Sequence, residues 1–190
     1  PLSLRFEKEG GGMFTAKDLR KLILPLIVEQ FLAVTIGMAD TIMVASTGEA
    51  AMSSVSLVDA INILLINIFS ALATGGAIVA SQYLGREDNK RANVAAKQLL
   101  LVTTAMSAFI MAVCLIGRNP ILDLIFGKIE PEVMDNCRVY FFWSALSYPF
   151  LAVYNAGAAL YRSMGNSKVS MLTSTLMNAI NIAGNALLIF

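Results

Sequence analysis

The stretch LILPLIVEQFLAVTIGMADTIMVAS, residues 22–46, decides how the rest of the chain is read. It runs for 25 residues with only two ionisable side chains, Glu29 and Asp40. A helix needs about 20 largely apolar residues to cross the hydrocarbon core of a bilayer. A surface helix of a soluble protein would carry a polar face over that length. The stretch therefore reads as a transmembrane helix, and its two acids stand out against it.

Four more long apolar segments follow, at about 55–80, 94–117, 139–161 and 169–190. Between them lie a short connection at 47–54, a charged one at 81–93, a long one at 118–138 with Pro120, Gly127 and Pro131, and a tight Gly/Asn/Ser turn at 162–168. The 190 residues are 57% hydrophobic and 14% charged, with a mean hydropathy of +0.69. Ordinary soluble domains are about 25% charged. The expected fold class is an all-α membrane protein with five transmembrane helices. Residues 1–21 read as a polar tail with three consecutive glycines, then a short amphipathic lead-in from Met13. The apolar run 121–126 is far too short to span and reads as an interfacial segment. Pro25 is expected near a helix start, where proline is tolerated, and Pro149 in mid-span is expected to kink its helix.

Lys and Arg that flank spans are retained on the cytoplasmic side. With five spans, the amino terminus shares a side with the second and fourth connections, which together carry ten cations: Arg5, Lys8, Lys17, Arg20, Lys21, Arg86, Lys90, Arg91, Arg162 and Lys168. The other side has three, Arg118, Lys128 and Arg138. A cytoplasmic amino terminus is the expectation, in a multi-pass membrane protein.

Composition also removes whole classes of chemistry. A net charge of +1 provides no basic surface for nucleic acid. The absence of His rules out Ser-His-Asp and Cys-His relays. Two cysteines, Cys114 and Cys137, cannot build a tetrathiolate site. No cofactor is expected, and an intramembrane enzyme has no nucleophile-base pair to rest on.

Function in a membrane protein is sought in what the bilayer should have excluded, since a carboxylate at mid-helix costs about 2.5–3.5 kcal/mol even on the lenient insertion scale. Glu29 and Asp40 are eleven residues apart, three turns plus about 20°, so they share a helix face and differ by about 16 Å in height. Asp40 lies beside Gly37 and Ala39, with no cation in its own span, and is the first candidate to bind a proton or a metal cation. Glu29 either lines the cytoplasmic approach or bonds a neighbouring helix. Asp59 is either part of the pathway or an end residue reaching the outer head groups. In the last span Asn178, Asn181 and Asn185 recur at i, i+3 and i+7 on one face, offering amide oxygens to a cation or interhelical hydrogen bonds. Asp59, Asn62 and Ser70 share a face of the second span. Small residues four apart, at Ala33 and Gly37, Ala71 and Gly75, Ala73 and Ala77, Ala77 and Ser81, signal close helix contacts. The aromatics Tyr140, Trp143, Tyr148, Tyr154 and Tyr161 either anchor interfaces or line a cavity.

Taken together, LPLIVEQFL leading to ADTIMVASTG, AAMSSVSLVDAI, GGAIVASQYLGREDNKRA, YRSMGNSK and NAINIAGNALLIF, in this order and spacing, resemble the multidrug and toxic compound extrusion (MATE) family of cation-coupled efflux transporters. The resemblance implies a twelve-helix protein of two six-helix lobes around a central cavity, of which residues 22–190 would be five helices of the amino-terminal lobe. The chain then resembles a fragment that stops inside its fifth span and lacks a second lobe, inactive in transport alone.

By position in the family pattern, Asp40 and Asn181 would form a cation or proton site in this lobe, with Na+ at Asp40 and Asn181 or H+ on Asp40. Asn185 stands where some members carry a second Asp. Glu29, Asp59 and Asn178 would line the pathway. The implied function is secondary active efflux of amphipathic or cationic drug-like compounds in antiport with Na+ or H+, in the lipid of a bacterial or archaeal inner membrane, with no nucleic-acid partner. The alternatives are a lipid or polysaccharide-precursor flippase, for which Lys97 is the only cation in or at the edge of the spans, and a membrane interaction module without transport.

Overall fold

The computed structural model describes the backbone of residues 16–189 and the side chains of residues 19–184. The tail, the start of the lead-in and the Asn185 side chain lie outside these described residues. Within them the chain forms α1 (Ala16–Ala45), α2 (Glu49–Gly85), α3 (Asn89–Ile116), the short α4 (Arg118–Phe126), α5 (Pro131–Ser163) and α6 (Ser167–Ile189), with no strand among the described residues. By length and composition α1, α2 and α3 can each cross a membrane. The nine residues of α4 would rise about 14 Å, half of a bilayer core.

Helices α1, α2, α3 and α5 start a turn or more ahead of the apolar segments, because hydropathy marks the stretch that suits lipid, whereas the helix itself ends only where the backbone is forced to turn. The lead-in from Ala16 is thus continuous with α1, and Pro25 sits inside that helix. This corrects its expected place at a helix start. The proline removes one backbone hydrogen bond there, and its ring is buried. Breaks between helices have local causes. Gly48 and Gly165 adopt φ of 124° and 77°, a region that L side chains rarely enter. Asp88 caps α3 by accepting from the Arg91 backbone N–H at 3.0 Å. Pro131 opens α5, where its missing N–H costs nothing.

Helix α5 is the hub, touching α2, α3, α4 and α6, while α1 packs chiefly on α6. Ala73 and Ala77 of α2 are buried against Leu99 of α3 and Ala156 and Ala159 of α5. A Cβ added at Gly76 would run into the Leu99 side chain. Small residues allow these helices their close approach. Of the predicted small-residue pairs, Ala73/Ala77 serves this interface, whereas Ala71 and Gly75 are exposed. Larger buried residues, Val58, Phe69, Leu122, Phe141 and Tyr148, fill the other end of the α2/α5 contact. Outward-facing positions are apolar, with Phe31 70% and Phe150 77% exposed, the reverse of a water-soluble surface and suited to lipid.

The hydrogen bonds fix relative direction. Glu29 pairs with Ser170 and Asp40 with Asn181, so eleven residues forward on α1 is eleven forward on α6. These two helices are parallel. Helices α2 and α5 are parallel too, because Ser54 meets Cys137, Asp59 meets Tyr140 and Asn62 meets Tyr148.

Candidate functional site

Polar side chains on the helix faces converge at two heights. At the first, α1 presents Asp40 and α6 presents Asn181. With its amide nitrogen turned toward α1, the orientation its hydrogen bonding selects, Asn181 Nδ2 donates to Asp40 Oδ1 at 3.0 Å and to Oδ2 at 3.1 Å. Both residues line a cavity of about 360 Å³ whose wall also includes Gly37 and Thr41 of α1, Asp59 of α2 and Tyr140 of α5. Gly37, expected to seat another helix, has open space where a Cβ would point.

Asp59 is half-buried. Its Oδ1 accepts from the Tyr140 hydroxyl at 2.9 Å and from Asn62 Nδ2 at 3.1 Å. Asn62 also donates to Ser144 Oγ at 3.3 Å and accepts from the buried Tyr148 hydroxyl at 2.9 Å. The head-group reading of Asp59 thus gives way to an inward-facing carboxylate tied to α5. Asp59 and Tyr140 also wall a second cavity, again about 360 Å³, with Asn62, Ser144 and Tyr148. Among the described residues no Lys or Arg lines either cavity.

The second height is different in kind. Glu29 Oε1 meets Arg162 Nη1 at 3.5 Å. The Ser170 hydroxyl accepts from Arg162 at 3.1 Å and donates to Glu29, 3.0 Å from Oε2. This triad joins α1, α5 and α6. Glu29 is therefore drawn away from the Asp40 cavity and into an ion pair. Asn178 is not part of the cavity wall either, and its Nδ2 is buried without a hydrogen bond among the described residues.

Asp40 and Asn181, paired in the expectation, meet across α1 and α6, whereas Asp59 was expected chiefly as an end residue, Arg162 as a loop cation, and Ser170 was unnoticed. Arg162 ends α5 within reach of an intramembrane acid on another helix. The signal was a cation at a span boundary matched with Glu29 in height. Tyr140 and Tyr148 were legible only as aromatic residues with two readings, and their hydroxyl partners settle the choice in favour of the cavity.

A chain with this helix order and these motifs can be compared with known proteins. The MatE family profile matches residues 25–187. The chain belongs to the MATE family. Over 174 residues it is 30% identical to "Uncharacterized transporter YisQ" of Bacillus subtilis, covering 91% of this chain and 38% of that protein. Over 180 residues it is 26% identical to "Probable multidrug resistance protein NorM" of Thermotoga maritima, covering 92% of this chain and 37% of that one. A solved structure of a MOP superfamily transporter from Pyrococcus furiosus superposes with a TM-score of 0.85 at 19% identity, over 92% of this chain and 38% of that chain. That likeness supports the same MATE-type helical fold. The chain spans well under half the length of each of these relatives.

Proposed function

We propose that this MATE chain forms the amino-terminal lobe of a secondary active efflux transporter in a cell membrane. It exports amphipathic, often cationic compounds in antiport with Na+ or H+, by alternating access against a second lobe. The observation that carries this reading is the cavity walled by Asp40 and Asp59 together with neutral hydrogen-bond groups. The names of the NorM relatives support the multidrug part, and the short coverage of each relative supports a second lobe. The proposed topology places the amino terminus in the cytoplasm, with five spans and α4 at the outer interface.

In this mechanism Asp40 takes the coupling ion. While Asp40 is ionised, the Asn181 amide donates to it. When a proton or Na+ is loaded, the same amide can rotate to present its oxygen. A ligand moves a conformational equilibrium only by its differential affinity for the two states. Relieving one intramembrane carboxylate is worth about 2.5–3.5 kcal/mol, while a shift from 1:99 to 99:1 needs about 5.5 kcal/mol. One site biases the switch without completing it.

The proposed role is transport, not bond-making chemistry. A flippase for phosphorylated lipids would want cations at its cavity, whereas Lys97 lies in a shallow groove on the exposed side of α3. The test is dye efflux under an imposed Na+ or H+ gradient by the reconstituted transporter that contains this chain. Asp40→Asn is expected to lower the gradient-dependent rate at least about tenfold; an unchanged rate rejects the assignment.

A further inference from the structure

The cavity has more charge on its wall than one coupling residue requires. Both hydrogen bonds that Asp59 accepts fall on Oδ1, from the neutral groups Tyr140 and Asn62. Its Oδ2 accepts none among the described residues, and Asp59 takes part in none of the ion pairs found among them. A carboxylate kept only to join α2 to α5 would not need its charge, because an asparagine at the same position would offer Oδ1 to the same two donors. Asn62 is in any case held to α5 by Ser144 and Tyr148. What the carboxylate adds is a negative charge with an open oxygen, placed where two cavities of about 360 Å³ share a wall.

We propose that Asp59 is a second charge-loading carboxylate of this lobe, taking a single positive charge, a proton or an alkali-metal ion, on its open Oδ2. The proposal rests on the ion-coupled reading of the cavity and supplies the part of the switch that loading Asp40 leaves incomplete. The ionisable groups facing this position are Asp40 from α1 and Tyr140 from α5, with Tyr148 beyond Asn62; α6 contributes the neutral Asn181. Asp40 and Asp59 carry the same sign on one wall, so loading either relieves repulsion on the other. In the proton case the O–H forms on Oδ2 from solvent in the cavity, Asp59 becomes neutral, and Tyr140 and Asn62 keep their bonds to Oδ1. In the alkali-ion case the ion exchanges its water ligands for Oδ2 and the neighbouring polar oxygens.

Infrared difference spectroscopy of the 190-residue chain in lipid nanodiscs tests this in two arms, acid titration without sodium and NaCl titration at fixed alkaline pH. Wild type is expected to show either a protonated-carboxyl stretch on acidification or a sodium-induced shift of carboxylate stretches that Asp59→Asn removes, separate from the signal removed by Asp40→Asn. Tyr140→Phe deletes a donor to the charged form and should alter the Asp59 response in the arm where it appears. If Asp59→Asn leaves both arms identical to wild type, Asp59 keeps a fixed charge and the proposal falls, while a surviving Asp40 signal leaves the coupling role of Asp40 intact. Where Asp59→Asn does not fold, Tyr140→Phe decides, and an unmoved response in both arms overturns the proposal.

Discussion

Two carboxylates on one face of α1, Glu29 and Asp40, receive opposite treatment from the helices packed against them. Glu29 is neutralised by an Arg162 guanidinium and a Ser170 hydroxyl. Asp40 meets an amide, and its cavity shares the Asp59 carboxylate and the Tyr140 hydroxyl. The first arrangement is built to hold one state, because an acid already paired with a fixed cation gains little from another. The second sets Asp40 among neutral hydrogen-bond groups and a second carboxylate on a cavity wall. Height along a single helix thus separates a fastened acid from one that lines a cavity.

The contrast breaks most visibly at Arg162. Arg162→Ala leaves Glu29 without its cation and is expected to cost about 3 kcal/mol in thermal or denaturant unfolding in detergent, the low end for a buried pair, since the Arg162 side chain is 32% exposed. The double variant Glu29→Gln, Arg162→Gln should lose clearly less than Arg162→Ala alone; an equal or larger loss would remove the fastening reading.

A change of opposite sign is expected in the cavity. Asp59→Asn keeps an acceptor for Tyr140 and Asn62 but deletes a charge, so the folded chain should gain about 1 kcal/mol, read as a higher melting temperature. A loss there would mean that the carboxylate was serving packing after all.

The smallest effect belongs to the cluster where Arg138 bonds Asp123 of α4 at 3.3 Å and Asp135 at 3.1 Å. These acids are exposed and screened. Arg138→Gln is expected to change stability by less than about 1 kcal/mol, and by less still at high salt. Comparing unfolding at low and high ionic strength separates it from the sheltered Arg162 pair.

Much of the fold was legible because lipid imposes a length rule. Residues 22–46 announce a span without any knowledge of their neighbours, and α1, α2 and α3 follow from the same rule. Helix ends were less legible, since Lys17, Arg20 and Lys21 are good helix formers that hydropathy alone assigns to a lead-in. At the site, Asp40 stood out through the bilayer's cost for charge, and Asn181 through its spacing. The partners of Glu29 could not be read that way, because a hydrogen bond between residues 133 or 141 apart in sequence depends on which helices meet. No periodicity within one span encodes that. Tyr140 shows the same limit, as the ring could face lipid or cavity until α2 brought Asp59 against its hydroxyl.

The parallel pairing of α1 with α6 has a consequence for biosynthesis. Helix α1 is matched to α6, more than 100 residues later in the chain, so Glu29 leaves the ribosome well before Arg162 and Ser170 have been translated. During that interval the nascent helix carries its acids without the partners that later shelter Glu29, and at typical elongation rates of about 5–20 residues per second the wait lasts roughly 7–30 seconds. Until its partners are made, that carboxylate carries an insertion cost of about 2.5–3.5 kcal/mol with nothing from α5 or α6 to offset it.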